Sequence, residues 1–272
     1  MDLNTIREIC RPAGREQLPA WQAEDALLAG GTWLYSEPQP QLRRLVDLST
    51  LAWPSLHTDA AGLCIAATCT LAELAAWQAP PGWRAAPLLG LCCQALLGSF
   101  KICNAATVGG NLCLALPAGP MIALAIALDG VCHVWKPDGG ERRISAEEFV
   151  LGPQMNALQR GEVLRHIDLP AAAFMRRFAI RRISLSPLGR SAALLIGTLS
   201  AEGGMALVVS AATLRPARLD FAGLPDEASL RRRIAQDITR FYEDVHGAAD
   251  WRQHLVFLLA EEIRCELEAV QP

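Results

Sequence analysis

Two Gly-Gly loops offer the strongest chemistry in the chain. One reads Leu28-Ala29-Gly30-Gly31-Thr32 and follows a short apolar run. The other reads Thr107-Val108-Gly109-Gly110-Asn111. Paired glycines let successive amide N–H groups turn toward one centre and let a ligand approach the bare backbone. Such a concavity binds anionic oxygen, phosphate above all. Thr32, Thr107 and Asn111 add neutral donors. Brought together, the two loops would clamp the two phosphates of a dinucleotide. Neither loop is a standard nucleotide fingerprint: G-x-G-x-x-G is absent, and no Gly-Lys-Ser/Thr follows either pair.

Other chemistry is sparse. The nine cysteines are odd in number, and no C-x-x-C occurs. Cys64 and Cys69 open a C-x4-C spacing, but the next iron–sulfur ligand position is Ala72. The five histidines are scattered and form no zinc pattern with the cysteines. The reading is that the chain carries no metal and that Cys92, Cys93, Cys103, Cys113 and Cys132 are packing residues. No general acid or base stands out, so no catalytic residue is nominated.

These loops need a scaffold to hold them. The 272 residues are 51% hydrophobic and 19% charged, enough for a large core. Net charge is −3, which excludes a basic nucleic-acid footprint. The longest apolar run, residues 121–128, is far shorter than a membrane span. No signal-peptide pattern opens the chain, and a cytoplasmic protein is expected.

Residues 1–50 read as a small α/β unit, and residues 51–170 as a second unit. Within the second, 63–67, 131–135 and 162–169 read as strands, and 70–77, 87–97 and 121–128 as helices. Ser145-Ala146-Glu147-Glu148 has capping-box spacing. The last third predicts a strand at 174–183 and a hairpin turning at Ala201-Glu202-Gly203-Gly204. Amphipathic helices are expected at 230–242 and 251–267. Trp77, Trp83 and the Cys92-Cys93 helix are candidates for an exposed interface as well as for the core.

In this order and context, the two loops resemble the FAD-binding subunits of the xanthine dehydrogenase and carbon monoxide dehydrogenase family. Arg11-Pro12, Leu45-Val46-Asp47-Leu48, Leu63-Cys64-Ile65-Ala66-Ala67, Ala127-Leu128-Asp129-Gly130 and Gly161-Glu162-Val163-Leu164 extend the resemblance, as does the segment 247–262. It implies an α+β fold: a two-lobed FAD-binding domain of the vanillyl-alcohol-oxidase type over residues 1–170, then a C-terminal α+β domain, antiparallel sheet with helices, over 171–272. It implies FAD held by Leu28, Ala29, Gly30, Gly31, Thr32 and Trp33, and by Thr107, Gly109, Gly110 and Asn111. Gly98, Ala106 and Leu164 would lie near the flavin, with Arg182 in the place of a basic residue that is usually Lys. The partners implied are a molybdenum-cofactor large subunit and a small subunit with two [2Fe–2S] clusters. Electrons would pass through FAD to NAD, oxygen or another acceptor.

The chain departs from that pattern at Trp33, where Asp or Glu is usual, and at Gly119-Pro120, where a small residue and Asp are usual. Leu114 and Cys103 also replace residues that are often polar or basic. At about 0.5–1.5 kcal/mol per lost hydrogen bond, FAD would bind about tenfold to a few hundredfold more weakly. Two alternatives stand beside this reading: a flavin-free structural subunit, and a stand-alone FAD oxidoreductase.

Overall fold

The computed structural model describes residues 3–269. Three strands, β1 (Glu8–Cys10), β2 (Asp25–Leu28) and β3 (Arg44–Asp47), form a parallel sheet with β3 in the centre. Parallel pairing puts the C-terminal ends of β2 and β3 on one edge, so the Gly30-Gly31 loop leaves the sheet beside Leu48. Asp25 and Arg44 lock that sheet from below. The Arg44 guanidinium donates to both Asp25 carboxylate oxygens, at 2.9 and 2.6 Å.

The second unit centres on an antiparallel sheet with strand order β4 (Leu56–Thr58), β5 (Gly62–Ala66), β10 (Val163–Pro170), β6 (Val131–Trp135), β7 (Glu141–Ser145). One face, through Leu63, Ile65, Ile167, Leu169, Cys132 and Val134, enters the main core. The helices α1 (Leu71–Ala76), α2 (Pro87–Ala95), α3 (Phe100–Cys103), α4 (Val108–Leu114), α5 (Pro120–Ala127) and α6 (Ala146–Phe149) pack there, and β8 (Val150–Gly152) pairs with β9 (Met155–Asn156). Thr70 caps α1 in a full capping box with Glu73. Ser145 caps α6, its hydroxyl accepting from the Glu148 amide. The sequence pattern missed β7, because its Glu-Arg-Arg-Ile-Ser run carries three charges at the sheet edge.

After α7 (Ala171–Phe174), a four-stranded antiparallel sheet runs β11 (Arg177–Ile183), β12 (Ala193–Leu199), β13 (Met205–Ser210), β14 (Ala217–Phe221). Every residue of β12 and β13 is buried. The reason is that both faces are covered: α5 packs on one, and α9 (Ala249–Ala269) packs on the other with α8 (Glu227–Asp237) beside it. The predicted hairpin forms at residues 200–204, closed by the Ser200 amide on the Gly204 carbonyl.

Two readings change, and one is decided in favour of the core. The strand expected at 174–183 starts only at Arg177, because Phe174 ends a helical turn and its ring stacks on Trp83 at 4.3 Å. Trp77 joins the same group, 5.8 Å from Trp83, so these tryptophans are half-buried against the core. The helix expected to reach 242 stops at Asp237, because Phe241 bridges to Thr213 and the Tyr242 amide donates to the Ala212 carbonyl.

The turn after α5 ties the two sheets together. Asp129 takes a left-handed conformation, φ 52°. Its carboxylate accepts from Arg176 and from Arg218, the latter at 2.5 Å. Burial pushes the Asp129 carboxyl up, but the hydrogen bonds from Arg176 and Arg218 outweigh it and hold the group below the ordinary carboxylate value. The stabilisation is therefore complete above the unfolded-state pKa of about 3.9 and is lost as pH falls through the lower folded-state value. Asn tolerates the left-handed backbone, so Asp129→Asn isolates the charge. The expected loss is about 1–3 kcal/mol at neutral pH, shrinking as the pH falls below about 4, in urea melts of both proteins from neutral pH downward.

Candidate cofactor site

The site begins where main chain meets main chain. A Cβ on Gly30 would lie 1.6 Å from the Ala105 carbonyl oxygen and 3.3 Å from Cα of Ala106. Only a residue without a side chain lets the first loop rest on the strand of backbone leading into the second. The second loop is pinned in the same way. A Cβ on Gly109 would lie 2.4 Å from Cβ of Ala67, and the Gly109 amide donates to the Ala67 carbonyl at 3.0 Å. Between them, the Leu71 amide donates to the Ala106 carbonyl and the Val108 amide to the Cys69 carbonyl, both at 2.9 Å. The end of β5, the start of α1 and the start of α4 thus form one backbone-packed ledge, and the first loop sits on it.

Above that ledge lies a cleft of about 570 Å³. Of the residues expected at the cofactor, Ala29, Gly30, Gly31, Thr32 and Trp33 line it, with Gly98, Ala106, Thr107, Gly109, Gly110, Asn111 and Leu164. Two do not. Leu28 is the last residue of β2, and Leu27 faces the cleft instead. Arg182 turns away and braces the β11–β12 loop, donating to the Ser191 hydroxyl at 2.8 Å and to the Gly189 carbonyl. Burial pushes the Arg182 pKa down from its ordinary value. The cationic residue that does line the cleft is Arg190, joined by Leu188 and Ser191 of the same loop. Sequence reading passed over Arg190. The loop Pro187-Leu188-Gly189-Arg190 is its only signal, and nothing there says which way it folds.

The two glycine loops are not equivalent donors, contrary to the symmetrical expectation. Among the described residues, the amides of Gly30, Gly31, Thr32 and Trp33 have no acceptor in the chain. Those of the second loop are engaged: Val108 and Gly109 as above, Gly110 with the Thr107 hydroxyl at 3.0 Å, and Asn111 with the Thr107 carbonyl at 3.0 Å. So the first loop keeps the free donors that an anion nest uses, while the second is a neutral wall of closely packed backbone with Thr107 and Asn111 side chains in the lining. Asn111 spends its Oδ1 on the Met121 amide at 3.1 Å, which directs its amide nitrogen elsewhere for donation. That bond also caps α5. Pro120 sits buried at the first position of α5, where no N–H is needed, and lies outside the cleft lining. Trp33, by contrast, lines the cleft.

The rest of the lining is apolar: Leu48, Leu71, Leu96, Leu114, Leu158 and Leu164 among others. Arg190 is its sole ordinarily charged group, and burial pushes the Cys113 thiol up to about 12. Free loop amides together with an apolar lining suit a dinucleotide with a flat ring system. The four open amides and the side-chain-free approach at Gly30 fit FAD, which the first loop would hold by its pyrophosphate.

The family model described as FAD binding domain in molybdopterin dehydrogenase matches residues 7–172. Caffeine dehydrogenase subunit beta of Pseudomonas sp. (strain CBB1) is 44% identical over 72 residues, which is 26% of this chain and 24% of that subunit's length. Carbon monoxide dehydrogenase from Hydrogenophaga pseudoflava superposes with a TM-score of 0.81 at 21% identity, covering 97% of this chain and 98% of that one. Quinoline 2-oxidoreductase from Pseudomonas putida 86 gives 0.80 at 18% identity, covering 98% of each chain. Reconstituted carbon monoxide dehydrogenase from Oligotropha carboxidovorans gives 0.81 at 20% identity, covering 97% of each. The fold is the two-lobed FAD-binding fold with a C-terminal α+β region, and the chain belongs to the family of FAD-binding domains in molybdopterin dehydrogenases.

Proposed function

We propose that this subunit relays electrons and does not itself transform the substrate. The observation that carries the reading is the cleft lining: a nest of free amides and an apolar slot, with no carboxylate or histidine in it. An enzyme acting directly on a small molecule would need an acid or base beside the flavin. Arg190, a guanidinium with donors and no acceptor, serves as neither. FAD, when bound, supplies the redox chemistry. The chain's own residues hold it, exclude water along the leucine-lined slot and fix its edge relative to a partner.

In this reading residues 1–170 form the cofactor domain and 171–272 a C-terminal domain that closes the cleft through Leu188, Arg190 and Ser191. The first loop, Ala29 to Trp33, takes the pyrophosphate, and Gly98, Ala106 and Leu164 line the place of the ring. Electrons come from [2Fe–2S] clusters of a small partner chain, which drains a large subunit with a molybdenum cofactor. They leave to NAD, oxygen or another acceptor. All nine cysteines are free thiols, which favours a reducing, cytoplasmic setting. Trp33 in the cleft supports a second reading, a flavin-free bridging subunit, and the same experiment separates the two.

Purified from its native source, the subunit is expected to bring iron–sulfur and molybdenum chains with it and to show the two absorption bands of oxidised flavin. Absence of those bands, with no uptake of added FAD, leaves only the bridging role. Isolation as a single flavin-containing chain that turns over a substrate alone rejects the relay.

The ledge makes a sharper test. Gly30→Ala forces the first loop off Ala105 and is expected to weaken FAD by at least about tenfold, since 1.4 kcal/mol suffices for a decade. Gly90→Ala, in α2 with open space around its Cβ, is expected to bind FAD as the parent does. Flavin fluorescence titration of both variants reads the difference, with circular dichroism to confirm the fold.

A further inference from the structure

The outer face of the five-stranded sheet, away from the core and the cleft, carries a group of side chains that the electron-relay reading does not use. The strand register brings them together. Cys64 on β5 lies directly across from Asp168 on β10. His166, two residues before Asp168 on the same face, lies directly across from His133 on β6. Cys64 and His133 lie far from the 166–168 segment in the chain, and they become its neighbours because β10 sits between β5 and β6.

Ligand-type atoms of Cys64, His166 and Asp168 all lie within 4.8 Å of one another. Nε2 of His166 is 3.6 Å from one Asp168 carboxylate oxygen, and Nε2 of His133 is 2.8 Å from the other. Yet that His133 nitrogen makes no hydrogen bond: it has the distance to Asp168 without the direction, and it is shielded from solvent. The imidazole rings stack with centroids 4.1 Å apart. Side-chain exposures of 16% for His133, 23% for His166 and 37% for Asp168 describe a shallow recess, shielded but open to a small ion.

We propose that Cys64, His166 and Asp168, with His133 as the fourth donor, bind one divalent transition-metal ion of the zinc class. One sulfur, two imidazole nitrogens and one carboxylate are the donors such ions prefer in four-coordinate sites. With metal–donor bonds of about 2.0–2.3 Å, ligand atoms lie about 3–4 Å apart, so small rotamer shifts suffice. Burial, and then the neighbouring His133, pushes the His166 pKa down, which leaves its ring nitrogens available as donors to a metal. Burial, and then Asp168, pushes the Cys64 thiol up to about 12. A metal ion would take the thiolate and release its proton to solvent, and it would relieve the crowding of acceptors around Asp168. Arg143, 3.9 Å from the Asp168 carboxylate, opposes a cation, but it is 68% exposed and free to swing away.

The test is titration of the full-length chain with Zn²⁺ by calorimetry, and with Co²⁺ by absorbance. Expected are one tight equivalent of Zn²⁺, a rise in melting temperature, and with Co²⁺ a sulfur-to-metal charge-transfer band plus the intense visible bands of four-coordinate cobalt. Cys64→Ser should abolish the charge-transfer band. His166→Gln, Asp168→Asn and His133→Gln should each weaken Zn²⁺ by about tenfold or more. Arg143→Gln should tighten it by up to about fivefold. Cys265→Ser and His254→Gln, exposed groups elsewhere, should leave it unchanged. No saturable Zn²⁺ binding, or binding equally strong in folded Cys64→Ser and Asp168→Asn, overturns the proposal. Flavin content is unaffected by either result, so the test stands apart from the electron-relay reading.

Discussion

The approach of bare backbone to bare backbone at Gly30 governs the site. A methyl group on Gly30 would stand 1.6 Å from the Ala105 oxygen, so none fits. That approach sets the first loop on the ledge formed by Ala67, Ala106 and Gly109, in a loop that lines the cleft and whose amides have no acceptor among the described residues. Amides without a partner in the chain are free to meet an anionic ligand.

The second constraint is that one wall comes from the last third of the chain. Leu188, Arg190 and Ser191 stand at the cleft because the β11–β12 loop is held from two sides. Arg182 ties Ser191 and Gly189, and the buried Arg252 of α9 donates to the carbonyls of Ala192 and Ala211 while pairing with Asp244. Asp129, gripped by Arg176 and Arg218, fixes the end of α5 to the same sheet. Arginines thus do the joining between sheets, where a planar guanidinium can satisfy several acceptors at once.

The chemistry is divided in space. One face of the five-stranded sheet supports the ledge and the apolar slot. The other carries polar side chains, including the Cys64–His166–Asp168 group. Strand alternation makes this possible: Ile167, next to both His166 and Asp168, is buried in the core. A single strand can therefore support a cofactor cleft and a separate polar site without either disturbing the other.

Local residue types fixed a good deal. The Gly-Gly loops, the 121–128 helix with Pro120 at its start, the caps at Thr70 and Ser145, and the hairpin at 200–204 depend on neighbours within a few residues, so one pass along the chain finds them. The gathering of the glycine loops at one cleft was legible only through the resemblance that their order carries. What the chain alone could not reveal depends on partners far away in sequence. Gly109 and its neighbours donate their amides to Ala67 and Cys69, so the second loop is a wall and not a second nest. Arg190 faces the cleft, and Arg182 does not, because the loop between them folds back on Ser191. Charged β7 is a strand only because β6 lies beside it. Hydrogen-bond direction and strand register are long-range quantities: residue type decides what a group can do, and the fold decides what it meets.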